Sequence, residues 1–229
     1  MISGLLRSAR RSAANTTLVL LLCALLHAEV VDRVVANVNN HALLQSDWEE
    51  EMAFEGFLDL RDPSSFSKAE RSAALDRLID QELLREQLRP GQSVAAEQIA
   101  ARVGEVRKLH PECASDASWR NALQRYGLTQ ASLEKRLGDQ LLLMKMVDDR
   151  LRPSVQIDQS AVEAYYHDQL LPEMTRAGNG AAPLAEVSGK IKDLLAEKKM
   201  NELLSGWLAS LRSTSQIMSS ESSLGDRNR

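Results

Sequence analysis

Residues 74–87 read Ala-Leu-Asp-Arg-Leu-Ile-Asp-Gln-Glu-Leu-Leu-Arg-Glu-Gln, and this stretch sets the terms for the fold. Leu75, Leu78, Ile79, Leu83 and Leu84 recur at the i, i+3, i+4 spacing of an amphipathic helix, while Arg77, Asp80, Gln81 and Arg85 fill the opposite arc. Two longer helical patterns, at 129–151 and 184–212, carry similar apolar stripes that need burial. The expectation is that 74–87 is the hub on which they pack. Aromatic residues make up only 4% of the chain and β-branched runs are few, which fits a mainly α protein.

The first 28 residues have a different character. Arg7, Arg10 and Arg11 precede a nine-residue apolar core at 18–26, and Ala28 offers a small residue at a cleavage position. That core is too short to span a bilayer, which takes ~20 apolar residues. A cleaved secretory signal over 1–28 is expected, hence a periplasmic location and no membrane insertion after cleavage. Its removal leaves 25 basic against 32 acidic residues, a formal charge of −7, and leaves Cys113 as the single cysteine. An acidic chain is a poor partner for nucleic acid. One cysteine makes no internal disulfide, so stability must come from the core.

Along the chain, 30–38 alternates as a strand, Asn39-Asn40-His41 supplies turn residues, and Ala42-Leu43-Leu44 returns as a second strand. Ser46 with Glu49, Ser67 with Glu70 and Ser160 with Glu163 have capping-box spacing, and Ser93, Asp116 or Ser118, and Thr129 are further helix starts. The stripe of the 129–151 helix is Leu133, Leu137, Leu141, Met144 and Val147; Gly138 inside it implies a close helix contact. Val155–Ile157 reads as extended, and 171–183 as a flexible connector. The last helix carries Val187, Ile191, Leu194, Leu195, Leu204, Trp207, Leu208 and Leu211, with Trp207 expected in the core. A short strand at Gln216-Ile217 and a disordered tail over 218–229 follow.

A search for chemistry finds no catalytic signature. There is no phosphate-binding loop, since Leu184 stands where its first glycine would be. No nucleophile elbow or paired-histidine zinc helix is present. His110-Pro111-Glu112-Cys113 offers three ligand types, but its spacing matches no zinc pattern, so a polar loop is the expectation and no metal or cofactor is assigned. Glu49-Glu50-Glu51 and Asp148-Asp149 read as solvated helix faces. Trp48 and Met52 lie on one side of their helix, Phe54 and Phe57 on another. A helix apolar on two sides is either deeply buried or turned toward a partner. Phe54, Phe57, Trp119 and Tyr126 are the candidate client-binding residues, although core burial is the favoured reading for Trp119 as for Trp48.

Several segments, in order, resemble the SurA-type periplasmic chaperones and their parvulin-type isomerase relatives. They are Val30–Asn40 followed by Leu44-Gln-Ser-Asp47, the 75–84 helix, Tyr126-Gly-Leu-Thr129 with the long helix after it, Arg150-Leu-Arg-Pro153, Val155-x-Ile157, Val162-Glu-Ala-Tyr-Tyr166, and the closing Trp207–Arg212 with Ile217. The resemblance implies a helical chaperone region over 29–170, completed by a closing helix and strand over 184–217. It also implies that the N-terminal strand pairs with the strand after the C-terminal helix. Relatives carry isomerase domains of on the order of a hundred residues between the Tyr-Tyr helix and the closing helix. Here 171–183 fills that gap, and no isomerase site residue can be carried over. The expected function is ATP-independent holding of unfolded or extended polypeptides, outer-membrane protein precursors in particular. Prolyl isomerisation or a non-catalytic envelope adaptor are the alternatives, enzymatic activity is disfavoured, and a homodimer is left open.

Overall fold

The computed structural model describes residues 32–113, 115–176, 178 and 182–219. The signal expected over 1–28, the first residues of the expected 30–38 strand, and most of the expected tail lie outside them. Val34–Val38 forms β1 and His41–Leu44 forms β2, an antiparallel hairpin turning at Asn39-Asn40. Asn39 has φ +53°, a left-handed conformation that Asn tolerates better than most residues. Strand β3, Ile217–Ser219, pairs antiparallel with the other edge of β1, so the sheet order is β2-β1-β3. The expected pairing of early and late segments is present.

Helix α1, Gln45–Leu58, follows β2 without a break. Its first turn is closed by Asp47, whose carboxylate accepts from the Leu44 backbone N–H at 2.9 Å, so Ser46 is inside the helix and not its cap. Helix α2, Lys68–Arg85, opens on the expected Ser67–Glu70 box. Helices α3 (Ala96–Lys108), α4 (Asp116–Arg125) and α5 (Gln130–Leu151) follow. Thr129 caps α5 as expected, whereas α3 and α4 start from Ala95 and Ser115. Helix α6, Gln159–Tyr165, is capped by Asp158 in place of Ser160 and runs through a π-helical turn, Tyr166–Leu170, into α7, Leu171–Arg176. The start of the expected connector is therefore helical. Val155 is extended, as expected for 155–157, and these residues join no sheet. Helix α8, Leu184–Thr214, returns the chain to β3.

Helix α2 is the expected hub. Its apolar face (Ala74, Leu75, Leu78, Ile79, Leu83) joins Val35, Val38, Leu43, Trp48 and Met52 in one core. Phe54 and Phe57, on the other side of α1, enter a second core with Trp119, Leu123, Leu133 and Leu137. Helix α1 is apolar on two sides because it separates two cores. Leu84, Leu143 and Met146 make a third cluster, covered by Leu204, Trp207, Leu208 and Leu211 of α8. A fourth joins Val162, Tyr166 and Ile191.

Two expectations about stripes are corrected. The buried residues of α5 are Leu133, Leu137, Leu143, Met146 and Leu151, and Met144 is 61% exposed. Between Leu137 and Leu143 the chain turns about 600°, at ~100° per residue, which rotates the inward face by about a third of a turn. The rotation follows a change of neighbour: the first half of α5 packs in the aromatic core, the second half on Leu84 and α8. Gly138 lies in the first half, where an added Cβ would stand 3.0 Å from Ile99 Cδ1 of α3. Trp207 is only half-buried, its ring lying under the Arg150 guanidinium at 4.5 Å. On α8 only Ile191 is fully buried, in the fourth cluster, because the rest of that helix lies along the margins of the others.

Candidate functional site

A cleft of about 530 Å³ opens where β2, α1, α2, α5 and α8 converge. Leu43 and Phe54 contribute apolar surface from β2 and α1, Leu78 and Leu84 from α2. Leu143, Met144 and Val147 supply it from α5, and Leu204 from α8. Leu43 and Leu78 belong to the first core, Phe54 to the second, and Leu84 and Leu143 to the third, so the cleft lies where the three cores meet.

The polar lining is tied down by ion pairs. Glu51, 4% exposed, pairs with Arg136 of α5 and accepts from Gln81 Nε2 of α2 at 3.0 Å. Arg136 also reaches the Asp47 carbonyl at 3.1 Å and Glu50 at 3.3 Å. Its Nε is buried and has no partner among the described residues. Burial pushes the Glu51 carboxyl above its ordinary value, against the pull of Arg136 and the Gln81 hydrogen bond. A second ladder crosses the rim. Lys135 holds Asp139 at 3.1 Å, Asp139 lies 3.9 Å from Arg85, and Arg85 bonds Glu82, which lies 3.7 Å from His41 of β2.

The polar arc of the hub helix thus serves as a set of ties. Arg77 forms a two-pronged pair with Glu55 of α1, at 2.6 and 2.5 Å. Asp80 receives Arg212 of α8 at 2.6 Å. The reading of Glu49-Glu50-Glu51 as a wholly solvated face is corrected at Glu51. Its signal was present in sequence: Glu51 follows Trp48 by three residues and precedes Met52, inside an apolar stripe. A charge placed there needs a partner, and the partner sits on a helix 85 residues away.

Of the four sequence candidates, Phe54 alone lines the cleft. Phe57 is fully buried, with Trp119 edge-on at 5.4 Å and Tyr126 at 5.3 Å. Trp119 is buried, its Nε1–H donating to Gln130 at 2.7 Å, and Tyr126 packs on the margin of the same core. In the folded chain these three support the wall behind Phe54 and present no shared open patch. Leu143, Met144, Val147, Arg136 and Glu51 complete the cleft. Sequence reading did not single them out as site residues, because the cleft exists only once distant helices meet.

No helix among the described residues is long and apolar enough to cross a membrane. No curated protein matches the chain. The family model described as the SurA-like N-terminal domain matches residues 4–147, well over half of the chain. It ends within α5, so the likeness of the closing helix and strand rests on the β1–β3 pairing. A domain of this kind points to a chaperone-type or adaptor role in general terms. On the match and the mainly α architecture together, the chain belongs to the family defined by the SurA-like N-terminal domain.

Proposed function

We propose that the chain is an ATP-independent holding chaperone of the cell envelope, binding unfolded or extended polypeptides, outer-membrane protein precursors among them. The observation that carries this reading is the cleft: apolar residues from β2 and four helices bordering one opening, with ion pairs along its rim. An extended segment could place apolar side chains against Leu143, Met144 and Leu204 and leave its backbone to water and the charged rim. Burying one client side chain is worth ~1.5–3 kcal/mol. Ordering the client offsets part of that gain. Binding would be weak per segment and readily reversible, as holding requires. The acidic net charge supports solubility of the loaded complex.

The test is suppression of aggregation when an unfolded β-barrel protein is diluted from denaturant. Substoichiometric to equimolar chain should lower light scattering several-fold, and Met144→Glu should remove most of that effect while leaving the melting curve unchanged, since Met144 is largely exposed. No suppression at several-fold excess would end the proposal. Acceleration of a proline-limited refolding step would favour an isomerase instead. A single stoichiometric partner in place of many clients would favour an adaptor.

A further inference from the structure

The loop between α3 and α4 brings together three side chains that the cleft does not use. His110, Pro111, Glu112 and Cys113 form a tight turn closed by a hydrogen bond from the Cys113 N–H to the His110 carbonyl, 2.9 Å. Pro111 at its second position pre-sets the backbone φ. The turn overrides the unpromising linear spacing: ligand atoms of His110, Glu112 and Cys113 all lie within 4.8 Å of one another. His110 and Cys113 are each 2% exposed, and Glu112 faces solvent.

The imidazole is held in one orientation. Its ring stacks on Phe57, centroids 4.1 Å apart and planes 15° from parallel. Its Nε2 lies 3.1 Å from the Phe57 carbonyl oxygen. A carbonyl only accepts, so the proton belongs on Nε2 and, in the neutral ring, the Nδ1 lone pair faces the loop. Back-bonding of this kind, from the far ring nitrogen to a main-chain carbonyl, is how proteins orient a metal-binding histidine.

The distances also match the spacing of ligands around one cation. Nδ1 to Glu112 Oε1 is 3.4 Å, longer than the ~2.7–2.9 Å of a charge-assisted hydrogen bond. Cys113 Sγ is 3.7 Å from the same oxygen. Tetrahedral zinc, with bonds of ~2.0–2.1 Å to nitrogen, ~2.0–2.2 Å to oxygen and ~2.3 Å to sulfur, has N···O edges of ~3.4 Å and S···O edges of ~3.6 Å. Two edges of the ligand triangle are thus at the required lengths, and the third, Nδ1 to Sγ, lies within 4.8 Å where tetrahedral zinc takes ~3.6 Å.

We propose that His110 Nδ1, a Glu112 carboxylate oxygen and the Cys113 thiolate bind one divalent cation of the Zn²⁺ class, with a fourth position open to water on the Glu112 side. Binding releases the thiol proton to solvent. The cation would fasten the α3–α4 loop onto the C-terminal end of α1 through Phe57, bracing the aromatic core behind the cleft. That is a cross-link available to a region with a single cysteine. The site stands independently of the chaperone reading.

The experiment uses the full chain, stripped with chelator, kept reduced by a phosphine, and titrated with Co²⁺ and then Zn²⁺. One Co²⁺ per chain should bind with a near-ultraviolet thiolate-to-cobalt band, displaced by Zn²⁺, and Zn²⁺ should raise Tm. The band should vanish in Cys113→Ser, which also distinguishes this site from Cys23 and His27. Glu112→Gln alters an exposed side chain, so its circular dichroism should match the parent while Zn²⁺ affinity falls about tenfold or more. Absence of saturable binding, a cobalt band that survives Cys113→Ser, or unchanged affinity in Glu112→Gln would each overturn the proposal.

Discussion

A carboxylate at 4% exposure is tolerated only while its counter-charge stays in place, and for Glu51 that counter-charge is Arg136. Arg136→Gln should cost about 3–5 kcal/mol, measured by urea denaturation, because it leaves an uncompensated buried charge. Adding Glu51→Gln to that variant should recover part of the loss. The pH dependence has a definite sign. Burial raises the folded-state pKa of Glu51 above 4.5, so the native state binds this proton more tightly than the unfolded chain. Its contribution is present below 4.5 and is lost as pH rises through the folded value; Glu51→Gln should flatten stability in that window. Glu70 works in the opposite direction. Its hydrogen bond from Arg61, and then those from Ser67, lower its pKa to about 2. The stability it confers at the start of α2 holds above 4.5 and is lost as pH falls through about 2, so Glu70→Gln should remove that part of the acid limb. Leu60 has φ +56° at an exposed position, where left-handed backbone costs an ordinary residue roughly 1–2 kcal/mol. Leu60→Gly should raise the urea midpoint. Of these roles, the Ser67–Glu70 box was readable outright, because its three-residue spacing is itself the mechanism, while for Glu51 the sequence carried the burial but not the partner.

Among the elements, α2 and α8 show how far periodicity reaches. The 74–87 stripe identified the hub correctly because α2 packs one apolar face continuously against the sheet and α1. The stripes of α5 and α8 misled because each helix changes neighbours partway along, and a stripe read as continuous hides such a change. Met144 was expected inside and lies on the cleft; Trp207 was expected in the core and is half-buried against Arg150. Trp207→Ala should therefore cost ~1–3 kcal/mol, the value of partial burial, less than the ~3–5 kcal/mol of an emptied core site. A larger loss in chemical denaturation would show that α8 packs more tightly than this geometry describes.

For the molecule as a whole, the decisive contact joins segments 177 residues apart in sequence. Asn39 accepts from the Gln216 N–H through its side chain, donates to the Gln216 carbonyl through its backbone, and donates to Glu86 at the end of α2. Truncation after Thr214 removes β3 and the two bonds to Gln216, and should lower stability by about 2–4 kcal/mol at ~1 kcal/mol per lost hydrogen bond plus the apolar area of Ile217. A truncated chain with an unchanged unfolding midpoint would show that α8 alone closes the core. What residue order alone determined is local: where helices start with Ser67 or Thr129, which faces are apolar, and that α1 is apolar on two sides. Each of those follows from spacing within one or two turns. The cleft, the Glu51–Arg136 pair and the meeting of β1 with β3 were decided by tertiary structure. They depend on which helix comes to lie against which, and no local period in the chain encodes a contact across 85 or 177 residues.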